Sequence, residues 1–151
     1  MRSIVPRSCQ CASRTGPIVV GLMLALSAGL AEADVVAVVS ARSPVTALSK
    51  NQVVDIFLGK ANRFPDGSLA VPIDQVEGAA ARNEFYLKFA GKSPAQIKAH
   101  WSKIIFTGRG RPPRELSGSS AVKQLIVENP NAIGYIEPSL VDGNVKVLLS
   151  P

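Results

Sequence analysis

The stretch VPIDQVEGAAAR, Val71 to Arg82, decides how the rest of the chain is read. AVPID (Ala70 to Asp74) is apolar and is expected to form a short strand. Pro72 cannot donate to a ladder, which places that strand near a sheet edge. The next residues read as a turn in which Gly78 opens a helix running to about Ala90, with Phe85, Tyr86 and Phe89 on its buried face. A strand feeding a helix in this way leaves first-turn backbone N–H groups free to meet an anion. Arg82 stands one turn in as the charge partner. The positions where hydroxyl groups would complete such a cradle hold Ala79, Ala80 and Ala81.

Upstream, the chain begins like an export signal. Arg2, Arg7 and Arg14 form a basic region, and IVVGLMLALSAGLA (Ile18 to Ala31) forms an apolar one. Ala31-Glu32-Ala33 is a small-x-small cleavage pattern, so the cut is expected between Ala33 and Asp34, delivering the protein to the periplasm. The apolar run is shorter than the roughly 20 residues a spanning helix needs. Cleavage would leave 118 of the 151 residues, Asp34 to Pro151, as one domain. Both cysteines, Cys9 and Cys11, leave with the signal, removing disulfides and thiolate ligands from the mature chain. Three arginines and one glutamate also leave, taking the formal charge from +6 to +4. That excess suits an anionic ligand but is not polybasic.

Downstream, periodicity and turn chemistry mark the elements. DVVAVVS (Asp34 to Ser40) reads as a buried strand. Ser49-Lys50-Asn51-Gln52 has the form of a capping box before a short helix burying Val53, Ile56 and Phe57, which Gly59 ends. Gly91 closes the helix that follows Gly78. Ser93-Pro94-Ala95-Gln96 is a second capping box with proline at the favoured first position. It opens a helix with an apolar stripe of Ile97, Trp101, Ile104 and Ile105. Residues 107–118, TGRGRPPRELSG, read as a breaker-rich loop. A helix from Ser119 or Ser120 to about Asn129 buries Val122, Leu125 and Ile126. AIGYIE (Ala132 to Glu137) and NVKVLL (Asn144 to Leu149) are the last two strands, joined through Asp142-Gly143. The order argues an α/β fold with a small mixed sheet flanked by helices.

Catalytic constellations are scarce. The single histidine, His100, is expected on the polar side of its helix next to Trp101. One histidine and no mature cysteine are too few nitrogen and sulfur ligands for zinc. No G-x-S-x-G elbow accompanies a Ser-His-Asp set. Glu77 and Glu84 are placed to pair with Arg82 along their helix. The residues therefore point to no enzyme, no metal and no cofactor. A second anion-cradle candidate lies where Arg109, Arg111 and Arg114 precede Ser117, Ser119 and Ser120 at another helix start. Gly110-Arg111-Pro112 also has the form of a minor-groove-binding core, but an exported protein meets little DNA, so nucleic acid is not an expected partner.

Three segments together carry a resemblance: VVSARSPVTALSKNQVVDIFLGKANRFPDG, VPIDQVEGAAARNEFY and NPNAIGYI. They resemble the phosphate-type periplasmic solute-binding proteins of ABC transporters, and HWSKIIFTGRG resembles the short, single-domain members of that family. The resemblance implies a periplasmic-binding-protein lobe and a role in phosphate uptake beside a membrane permease or a periplasmic sensor. Two lobes close on the ligand in full-length members, and this chain has the length of roughly one. It further implies that Gly78 and Arg82 keep the frame of a phosphate site, with Ser40 or Ser43 as the first-strand contact. Ala79 and Ala81 replace two hydroxyl residues of the family pattern, and Ala80 replaces a glycine. A hydrogen bond to a charged group is worth about 1.5–3 kcal/mol, so two such losses cost about 10²–10⁴ in affinity. The expectation is a weak oxyanion site, or an adaptor that has lost its ligand.

Overall fold

The computed structural model describes residues 34–151, so the export signal and its cleavage point lie outside the described residues. Five strands, β1 (Val36–Ser40), β2 (Val71–Gln75), β3 (Arg114–Leu116), β4 (Ala132–Ile136) and β5 (Val145–Leu149), form one sheet in the order β3-β2-β4-β1-β5. Strand β2 runs parallel to β3 and β4, whereas β1 is antiparallel to β4 and β5. The mixed α/β sheet expected from the sequence is therefore the one observed.

The β-branched run of β1 is buried on both sides because both sides of the sheet are covered. Val35, Ala37 and Val39 pack with Ile133 and Tyr135 against helices α1 (Lys50–Phe57), α2 (Ala80–Ala90) and α3 (Pro94–Phe106). Val36 and Val38 pack with Ile73 and Ile136 against Val122 and Ile126 of α4 (Ser119–Glu128). The period-2 alternation of strand side chains thus divides one apolar run between two cores. Aromatic rings fill the first core. Phe85 stacks on Tyr135 at 4.2 Å between centroids and 8° between planes, with Phe57 and Phe89 beside it.

Both capping boxes form. Ser49 and Gln52 cap α1 reciprocally, and Ser93 and Gln96 do the same for α3, with Pro94 in its first turn. Gly91 closes α2 in a left-handed conformation. No helix among the described residues is long and apolar enough to cross a membrane.

Three local expectations need correction. Residues 114–116 are a strand inside the expected loop. β3 has no apolar run to announce it, and a short, charged segment is what an edge strand tolerates. That added strand moves β2 away from the edge. Pro72 is accommodated because β3 pairs only from Ile73 onward, so at Pro72 the strand has a neighbour on one side. In α3, Ile97 and Trp101 are buried but Ile105 is 56 % exposed and Phe106 94 %. At about 100° per residue, Ile105 stands about 80° around the helix from Ile97, off the stripe centred on Ile97, Trp101 and Ile104.

Gly134 explains the glycine of the AIGY motif. A Cβ there would lie 2.7 Å from both Ile126 Cδ1 and Val122 Cγ1, so α4 sits on the sheet where β4 has no side chain. Gly134→Ala is expected to lower unfolding stability by about 1–3 kcal/mol, the usual cost of overpacking. Urea denaturation of the two proteins checks it.

Candidate functional site

The carboxyl end of β2 is where the charged and polar groups converge. Asp74 is fully buried there. Its carboxylate accepts from the hydroxyls of Tyr135 and of Tyr86 (2.7 Å), and from the backbone N–H of Gln75 (2.8 Å). Arg82 completes the group. One guanidinium nitrogen lies 3.6 Å from Asp74, and the other donates to the Gln75 carbonyl at 2.9 Å and to Glu115 of β3. The side chain of Gln75 reaches on to the Ser119 hydroxyl at 3.0 Å, joining the first residue of α4 to the end of β2.

Arg82 is therefore a buried, internally paired residue, 9 % exposed, and not the solvated partner of Glu77 and Glu84 expected from helix spacing. Those glutamates pair with Lys98 (3.0 Å) and Lys88 (2.7 Å) instead. Helix spacing alone does not show that Arg82 turns inward, because its partners Asp74, Gln75 and Glu115 lie on β2 and β3. A short turn brings the first helical turn back over Asp74 and Gln75.

Gly78 lies just before α2 with φ +90°, a conformation closed to helical residues, so it shapes the turn and does not itself open the helix. Ala79 is the N-cap, with extended φ and ψ but no side-chain acceptor, and Ala80 is the first helical residue. Ala81 is buried and Ala80 exposed. The α4 start is also uncapped: Gly118 occupies the cap position, Ser119 turns inward to Gln75, and Ser120 is exposed. Neither helix has an acidic residue in its first turn. Two helix N-termini lacking side-chain caps thus open at the carboxyl end of the parallel strands, whereas α1 and α3 carry full capping boxes.

Not every residue expected at this site reaches it. Val39 pairs with Ile133, and Pro72 with the same residue, so Ser40 lies level with the beginning of β2. Gly78 follows the other end, and the four-residue step along β2 alone is about 13 Å. Ser40 and Ser43 are buried and hold the connection after β1, accepting from the N–H groups of Arg42 and Val45 (both 3.3 Å). Arg109 also stands apart. A cavity of about 210 Å³ beside Gly78 and Arg82 is lined by Glu77, Glu115, Lys98 and Trp101, but not by Arg109, which lines a neighbouring cavity. His100 is half-buried, its Nε2 2.9 Å from the Leu58 carbonyl oxygen.

Burial raises the Asp74 pKa above the ordinary carboxylate value, although the Tyr135 hydroxyl, the Arg82 charge and the Tyr86 hydroxyl all oppose it. Burial, reinforced by the Asp74 charge, pushes both tyrosines far above their usual range, so they stay protonated and act as donors. The arrangement is a closed hydrogen-bonded network beside two open helix starts.

No protein-family model matches the chain, and no curated protein is detectably similar in sequence. Solved structures are similar. A protein described as a phosphate ABC transporter substrate-binding protein from Clostridium perfringens, with bound phosphate, matches with a TM-score of 0.60 and 24 % identity over 76 % of this chain. An ABC-type phosphate transport receptor from Vibrio cholerae matches with a TM-score of 0.59 and 19 % identity over 76 % of this chain. This similarity shows the fold. The chain spans 44 % and 45 % of those two proteins, less than half of each.

Two outcomes follow from the network. With its pKa raised by folding, Asp74 gives up its proton first in the unfolded chain, so its contribution to stability falls as pH rises from about 4 through the folded value. Asp74→Asn should remove that decline; urea midpoints of both proteins from pH 4 to 7 measure the difference. Arg82→Ala leaves Asp74 buried beside fewer partners and is expected to cost about 3–5 kcal/mol in the same assay at pH 7.

Proposed function

We propose that this is an exported, non-catalytic solute-binding-type protein that recognises an oxyanion such as inorganic phosphate weakly, in connection with ABC-type uptake. Residues 1–33 serve as the signal, and 34–151 act as the periplasmic domain. Binding occurs at the α2 start around Gly78, Ala79 and Ala80, with the α4 start at Ser119 and Ser120 nearby. The observation that carries this reading is the pair of uncapped N-termini at one end of the parallel strands. Ligands of open α/β sheets bind at the carboxyl ends of strands, and helix N-termini favour anions. The fold shared with phosphate-binding proteins supports the same assignment.

The site is weak for a physical reason. Arg82 is neutralised by Asp74 and Glu115, and the acids Glu77 and Glu115 line the same small cavity as Lys98. That internal pairing of Arg82 favours a second reading, an adaptor docking on a permease or a periplasmic sensor without any ligand.

Titration calorimetry with phosphate and sulfate separates the two. Millimolar binding to the wild type should disappear in Ala79→Asp, whose carboxylate caps α2 from within. The same variant should be stabilised by about 0.5–2 kcal/mol. No heat from the wild type at millimolar phosphate removes the ligand and leaves the adaptor.

A further inference from the structure

The larger cavity, about 580 Å³, lies between the end of α1, the beginning of β2, α3 and the loop before β3. Its apolar wall includes Ile56, Ile104 and Trp101. Arg109, Arg111 and Arg114 line it as well, and no aspartate or glutamate does. None of the three guanidinium groups makes an ion pair or side-chain hydrogen bond with a described residue, and all three residues are exposed. Lys60 lines the same cavity, paired at 3.6 Å with the half-buried Asp55 outside it. Three guanidinium groups without an acidic partner among the described residues thus line one concave, partly apolar surface. Its size falls within the roughly 300–1,000 Å³ usual for small-molecule sites.

The wall is also set firmly. The indole of Trp101 closes on Gly59, where a Cβ would meet Cη2 at 2.9 Å. Prolines 112 and 113 fix the backbone between the arginines, and α3 begins from a full capping box. A preorganised apolar surface with unpaired guanidinium forks selects a ligand that supplies both an anion and an apolar body.

We propose that this groove binds a small soluble organic phosphate, a phosphomonoester with an aromatic or aliphatic substituent. The substituent lies on Ile56, Ile104 and the edge of Trp101, and the phosphate is held by Arg109 and Arg111, with Arg114 at the inner end. The groove is separate from the helix-start site and does not depend on it.

The test is titration calorimetry with phenyl phosphate on the 34–151 chain, alongside phenol and inorganic phosphate as half-ligands. Phenyl phosphate should bind at least tenfold more tightly than either half. Arg109→Gln combined with Arg111→Gln, both in an exposed loop, should weaken it at least tenfold without changing the thermal midpoint. Ala79→Asp should leave phenyl phosphate binding unchanged, which separates the groove from the helix start. Equal affinity in the wild type and the double variant, or no binding at millimolar phenyl phosphate, overturns the proposal. Sedimentation with phosphatidylglycerol vesicles but no binding of phenyl phosphate also overturns it, making the arginines a membrane-facing surface.

Discussion

A carboxylate sealed from water governs this structure. Asp74 has no exposed surface, and an unpaired buried charge is among the most costly features a fold can contain. Every neighbour is arranged around that requirement. Tyr135 supplies a hydroxyl from β4, Tyr86 another from α2, and Arg82 a countercharge that also ties in β3 through Glu115. Gln75 extends the same network to the start of α4. Asp74, Arg82 and Gln75 together thus tie β3, β4, α2 and α4 to the end of β2. Apolar packing alone would tolerate slippage that these hydrogen bonds forbid.

The same arrangement occupies Arg82 within the fold. One guanidinium nitrogen donates to the Gln75 carbonyl and to Glu115, and Asp74 and Glu115 together offset the charge. In the sequence, an arginine one turn inside a helix start reads as an anion's partner. In the fold it serves the interior. The start of α2 and the charge one turn into it are thereby separated: the first has no side-chain cap, and the second is paired within the fold.

Much of the architecture was legible because local signals agreed with one another. Two S-x-x-Q boxes, the Gly91 stop and the β-branched run from Val35 gave helices and strands close to those observed. β3 was hidden because Arg114-Glu115-Leu116 has neither period nor propensity; only its parallel pairing with β2 makes it a strand. The distance between Ser40 and Gly78 was hidden for a related reason. Sequence places both at strand ends, but strand direction decides which end, and β1 opposes β4 while β2 follows it. Burial of Arg82 needed the same long-range information. The alanines at 79 to 81, by contrast, state their lack of hydroxyls in any conformation.

Trp101 lines both cavities, with Gly59 against its six-membered ring on one side. The two spaces therefore share a wall, and the indole that closes on Gly59 is what stands between them. A Cβ at position 59 would meet Cη2 of that ring at 2.9 Å, so the ring can stand where it does only beside a glycine. The position of the wall between the two cavities thus rests on a single absent methyl group.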